Sequence, residues 1–122
     1  MALQSQPFDP LEFLDLARSL GQTSNDEASL RTAVGRVYYA LFLVARSRIA
    51  TTVIGKAVHA EVIKHVKQRD RSAGDQLATL RRFRNVADYE LMPLRATDRN
   101  WRQSWSTVDR IAQHILPRLQ HM

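Results

Sequence analysis

Apolar residues recur at three- and four-residue spacing along most of the chain, and no segment alternates with the period of two that marks a strand. The pattern predicts five helices. Asp9-Pro10 opens the first, with Asp as N-cap and Pro at N1; Gly21 ends it, and Leu11, Leu14, Ala17 and Leu20 face inward. Ser24 or Asn25 caps a longer second helix, with Asp26 and Glu27 near its positive end. Its apolar positions are Leu30, Val34, Val37, Leu41 and Val44. Tyr38, Tyr39 and Phe42 widen that face, so the helix either centres a bundle or packs on a partner. Gly55 marks the break after it. A third helix runs from about Lys56 to Asp70 with Val58, Val62 and Val66 inward. Ser72 to Asp75 read as a turn, with Asp75 capping a fourth helix that carries Leu77, Leu80, Phe83, Ala87 and Leu91 until Pro93 forces an end. Thr97 caps the fifth, whose stripe is Trp101, Trp105, Val108, Ala112, Ile115 and Leu119, and Pro117 kinks or terminates its last turn. The expected fold is all-α: an up-and-down bundle of four to five helices forming one domain over residues 1–122, with its core at about 9–120.

Composition narrows the setting. The 122 residues include no cysteine, which excludes disulfides and Cys-ligated zinc and fits a reducing cytoplasm. Met1 to Gln6 lack the basic-then-apolar layout of a signal peptide, and the apolar stretch Val37 to Ala45 is too short to cross a bilayer. A cytoplasmic protein without membrane contact is expected. The net charge of +6 is unevenly placed: residues 1–30 hold five acids and one base, whereas residues 31–122 hold seventeen bases and seven acids. A basic surface of that kind attracts polyanions, nucleic acid foremost, although fifteen arginines against three lysines can also reflect coding bias.

The candidate chemistry lies on the fourth helix, in Leu80-Arg81-Arg82-Phe83-Arg84-Asn85-Val86-Ala87-Asp88-Tyr89. At about 100° per residue Arg84 falls inside the apolar stripe, with Asp88 at its edge and Arg81 near the same edge. A guanidinium there needs partners, because an unpaired buried charge is costly. An Arg84–Asp88 pair one turn apart, closing the bundle, is one account; an anion site in which Arg84 holds a phosphate and Asp88 orients it is the other. His59 on the third helix is either a packed core histidine or a proton-transfer group. His65, six residues on, does not share its angle, and His114 and His121 read as solvated, so no metal site is expected. With four scattered glycines there is no phosphate-binding glycine loop.

Two segments give the chain a resemblance. Arg31-Thr32-Ala33-Val34-Gly35-Arg36-Val37-Tyr38-Tyr39-Ala40-Leu41-Phe42 is similar to the S/R-x-Y-Y-A-x-F helix of small stand-alone prokaryotic HEPN proteins, the HepT-like toxin relatives. Leu80 to Tyr89 is similar to their L-x-x-x-R-x-x-A-D-Y segment. His59 falls between the two, where a histidine commonly opens the family's third helix. The resemblance covers about residues 10–120. It implies a helical bundle that dimerises and a metal-independent endoribonuclease, without cofactor, whose motif arginines meet at a homodimer cleft. Arg84 matches the motif arginine, Asn85 the polar residue after it, and Tyr89 the motif tyrosine. The motif histidine has no counterpart: the corresponding positions hold Tyr89, Glu90 and Leu91, and Asp88 is the nearest polar stand-in.

The reading is then a toxin or defence ribonuclease whose catalytic residues are Arg84 as the motif arginine, Asp88 as the stand-in and His59, from the neighbouring helix, as the replacement for the missing histidine, with Asn85, Tyr89 and Arg81 as substrate-binding residues. Its partners would be RNA or nucleotide, a second copy of the chain, and a nucleotidyltransferase-type antitoxin. The alternative is a catalytically degenerate module of the same family, binding nucleotide or RNA or serving as the dimeric partner of a nucleotidyltransferase. A DNA-binding regulator fits less well, since no short helix–glycine turn–helix pair stands out.

Overall fold

A computed structural model describes residues 8–91 and 100–122. Among these, five helices and no strand form an all-α bundle: α1 (Leu11–Thr23), α2 (Glu27–Ser47), α3 (Ala57–Arg69), α4 (Arg71–Tyr89) and α5 (Trp101–Gln120). The apolar stripes read from the sequence account for the packing. Leu30, Val34, Val37, Leu41 and Val44 of α2, Val58, Val62 and Val66 of α3, and the whole α5 stripe from Trp101 to Leu119 are buried. α2 touches each of the other four helices. That central position is why it is apolar on more than one face: Tyr38 is fully buried within it.

The helix ends differ from the expectation at several positions. Asp9 accepts from the Leu11 backbone N–H at 3.0 Å, but Pro10 occupies the N-cap position. Gly21 does not end α1. It lies inside the helix, and the indole of Trp105 sits where a Cβ would project, which is why the position holds glycine. The cap of α2 is Asp26 rather than Ser24 or Asn25, its carboxylate accepting from Ser29 N–H at 3.0 Å. Those N–H bonds hold the Asp26 carboxyl below its ordinary pKa.

No turn separates residues 72–75 from α4. One extended residue, Asp70, ends α3 and caps α4, accepting from Ala73 N–H at 3.0 Å. The chain reverses there so tightly that Gly74 lies against the Lys67 backbone, where a Cβ would meet Lys67 N at 2.7 Å. Arg118 of α5 clamps the same carboxylate through two hydrogen bonds of 2.7 and 3.1 Å. Leu91 lies beyond the end of α4 and is 95% exposed, not part of its stripe. Pro93 and Thr97 lie outside the described residues; α5 is capped by Asn100 in a capping box with Gln103. Pro117 does not terminate α5, which continues to Gln120. Gly55, at φ 72°, occupies the left-handed turn that leads into α3.

Candidate functional site

The polar residues of the fourth helix are divided between two faces. Arg84 and Asp88, one turn apart, point to a cleft between α2 and α4 of about 460 Å³ that Thr32, Gly35, Arg36 and Tyr39 complete from α2. Nε of Arg84 lies 3.1 Å from Oδ2 of Asp88, with the two side chains 23% and 40% exposed. The pair is thus the half-open ion pair that the one-turn spacing allows, not a buried charge. Gly35 forms the floor: a Cβ there would meet Oδ1 of Asp88 at 3.1 Å, so the missing side chain gives the carboxylate its room. Arg36 brings a second guanidinium to the cleft and lies over the rings of Phe13 and Tyr39, at 4.9 and 5.8 Å. Neither Arg36 nor Tyr39 stood among the candidates from the fourth helix, although both lie in the α2 segment that carries the family resemblance.

His59 lies behind this cleft rather than in it. The Tyr38 hydroxyl is 2.7 Å from its Nδ1, and the imidazole stacks on Phe42 at 4.3 Å between ring centres. Burial, with a smaller opposing effect from Arg81 and Arg84, pushes the Tyr38 hydroxyl up to about 12, so it keeps its proton. That buried O–H has no other acceptor among the described residues. It therefore donates to Nδ1, which leaves the proton of neutral His59 on Nε2. Burial first, then the guanidinium groups of Arg81, Arg84 and Arg46, hold the imidazole below its ordinary pKa of 6.5. At neutral pH the ring is uncharged and its Nε2 is a hydrogen-bond donor.

The remaining candidates fall elsewhere. Arg81 and Asn85 line a groove on the neighbouring face of α4, against α3. Asn85 is joined to Arg84 by a hydrogen bond of 3.2 Å from the guanidinium to its Oδ1. Tyr89, 69% exposed, ends α4 with its ring 5.8 Å from the Arg84 guanidinium. Arg31, at the head of the α2 motif segment, has a structural task. It donates to the carbonyl groups of Ala87 and Glu90, pairs with Glu27 at 2.9 Å and lies 4.7 Å over the Trp101 ring. It thereby satisfies carbonyls left open where α4 ends.

Among the described residues no three His, Asp or Glu side chains are gathered as a metal site requires, and no helix is long and apolar enough to cross a membrane. Comparison with protein-family models, with curated proteins and with solved structures gave no match.

Proposed function

We propose that the chain is a HEPN-type endoribonuclease that cleaves RNA without a metal, as the toxin of a toxin–antitoxin or defence system. The observation that carries this reading is the half-open Arg84–Asp88 pair in a cleft with a second arginine, Arg36. A phosphodiester entering the cleft competes with Asp88 for Arg84, and two guanidinium groups then face the charge that develops on the non-bridging phosphoryl oxygens during attack. The Asp88 carboxylate, released from Arg84, is the group in the cleft able to accept the ribose 2′-hydroxyl proton. The oxygen it leaves bonds to phosphorus, and the 5′-oxygen departs with a proton from solvent. His59, outside the cleft and bonded to Tyr38, positions that ring and is not the base. The family resemblance supplies the rest of the proposal: a homodimer whose two clefts adjoin, and a nucleotidyltransferase-type antitoxin.

A second reading is a non-catalytic RNA- or nucleotide-binding module, or a dimeric partner of a nucleotidyltransferase. It is favoured by His59, whose Nδ1 is engaged by Tyr38 and whose basicity is depressed. Incubating the purified protein with a mixed RNA pool in excess chelator, beside Arg84→Ala, separates the two. Cutting that persists in chelator and disappears in Arg84→Ala supports the nuclease. Cutting that needs a divalent metal, or that survives in Arg84→Ala, overturns it. Salt-dependent binding with no cutting moves the assignment to the module.

A further inference from the structure

The face of α4 beside the cleft carries its own constellation. Between α3 and α4 lies a groove of about 710 Å³ whose walls carry Lys64, Lys67, Arg71, Arg81 and Arg82 and no acidic residue. Asp75 stands at one end, 3.7 Å from Lys67 and 3.5 Å from Arg71, distances of loose surface pairs, and Asp70, which precedes Arg71, is taken by Arg118. Lys64, Arg81 and Arg82 have no carboxylate within ion-pair distance among the described residues. Arg81 is the most constrained of these, since its Nε is buried without a hydrogen-bond partner. This concentration of positive charge is held together at some electrostatic cost, and a bound anion relieves it.

The shape indicates which anion. The tight reversal at Asp70 lays α4 back along α3, so the cations follow the groove from Arg71 at one end to Arg82 at the other. Eleven residues at 1.5 Å per residue span about 16 Å. That is a track for successive phosphates rather than a seat for one. Its floor is aliphatic, Ile63 and Ala78, and no aromatic ring lines it for base stacking. Recognition is therefore of the backbone and is indifferent to sequence.

We propose that the α3–α4 groove is a second polyanion site that holds the phosphodiester backbone of a single strand outside the Arg84 cleft, with Lys64, Arg81 and Arg82 as its principal contacts. That the strand is RNA rests on the function proposed above; the phosphate chemistry of the groove does not. Arg81 also stands between the two faces of α4, about 20° around the helix from Asp88. A strand seated in the groove is thus beside the helix that presents Arg84.

The test is the affinity of the full chain for a labelled single strand of about 12 nucleotides, measured by fluorescence anisotropy over a range of salt. Lys64→Glu and Arg82→Glu are compared with Arg110→Glu, an equal charge change at an exposed position of α5. Each groove reversal is expected to weaken binding roughly three- to tenfold and to lower the salt slope by about 0.7 per lost contact, with Arg110→Glu within about twofold of wild type. Lys64→Gln and Arg82→Gln replace the reversals if these reduce the helical circular dichroism. Equal losses in all variants overturn the groove assignment. A mononucleotide that binds as tightly as the strand overturns the track. RNA that is bound through the groove but never cut counts against the nuclease alone. Cutting that proceeds with unchanged affinity in the groove variants counts against the groove alone.

Discussion

The Tyr38 hydroxyl and Nδ1 of His59, 2.7 Å apart, form a polar contact between the central helix and α3 inside an otherwise apolar layer. Each satisfies the other, so the cost of removing one depends on the other. His59→Phe should pack acceptably against Phe42 but leave the Tyr38 O–H buried and unpaired, at a cost of about 1–3 kcal/mol. Adding Tyr38→Phe to that variant should recover most of the loss, because both polar groups are then gone. Urea denaturation of the two single variants and the double variant measures this coupling, and additive losses would contradict it.

The same contact predicts a dependence on pH. The folded-state pKa of His59 lies below its unfolded value of 6.5, so on acidification the unfolded chain takes up the proton first. The contribution of His59 is complete above about pH 6.5 and is lost as pH falls from there through the folded pKa. Urea midpoints between pH 8 and pH 5 should fall more steeply in wild type than in His59→Phe. His65, His114 and His121 remain in both proteins and cancel from the comparison.

Much of the bundle is legible in the sequence because a helix buries a stripe, and stripes such as Leu30–Val34–Val37–Leu41–Val44 are local patterns. The caps are less legible. Asp26 and Asp70 compete with neighbouring Ser24, Asn25 and Asp75, any of which satisfies the local rule, and only the three-dimensional course of the chain selects one. Gly21 has the composition of a stop and the task of a contact, and that contact is Trp105, far along the chain. At the site, the spacing gives the Arg84–Asp88 pair. It does not give the Tyr38–His59 bond, the entry of Arg36 into the cleft, or the division of α4 into a cleft face and a groove face, since each depends on which helix lies alongside.

Asp88→Asn separates the two tasks given to that residue. It keeps the shape that Gly35 accommodates and removes the charge beside Arg84. A half-exposed pair contributes about 0.2–1 kcal/mol, so stability should change by less than about 1 kcal/mol. Arg84, freed of its partner, should bind single-stranded RNA up to about fivefold more tightly. If Asp88 is the base, the rate of cutting under saturating RNA should fall at least about tenfold. Tighter binding with slower turnover is the expected pattern; unchanged turnover would remove Asp88 from the chemistry.

Gly21→Ala tests the contact between α1 and α5. The added methyl projects into the indole of Trp105, which is buried and has little room to withdraw. Although alanine favours a helix by up to about 1 kcal/mol over glycine, overpacking here should leave a net loss of about 1–3 kcal/mol. For a chain of this size that lowers the melting temperature by several degrees, readable by circular dichroism. A variant more stable than wild type would mean that α1 shifts freely on α5.

Pro117 offers the opposite change. It lies inside the last turn of α5 on an exposed face, while Ile115 and Leu119 on either side are buried. Burial of those two side chains keeps the last turn in place even though proline supplies no N–H and its ring crowds the carbonyl one turn back. The helix therefore continues because packing outweighs local preference, which is why a reading of the sequence alone ends or kinks it there. Pro117→Ala should restore that N–H without disturbing the buried stripe. A gain of about 1–2 kcal/mol is expected, less than the roughly 3 kcal/mol of a mid-helix proline because the site is near the helix end. Raised thermal stability with unchanged RNA binding would establish this. A loss would show that the rigid φ of proline holds the Arg118 clamp on Asp70 in register.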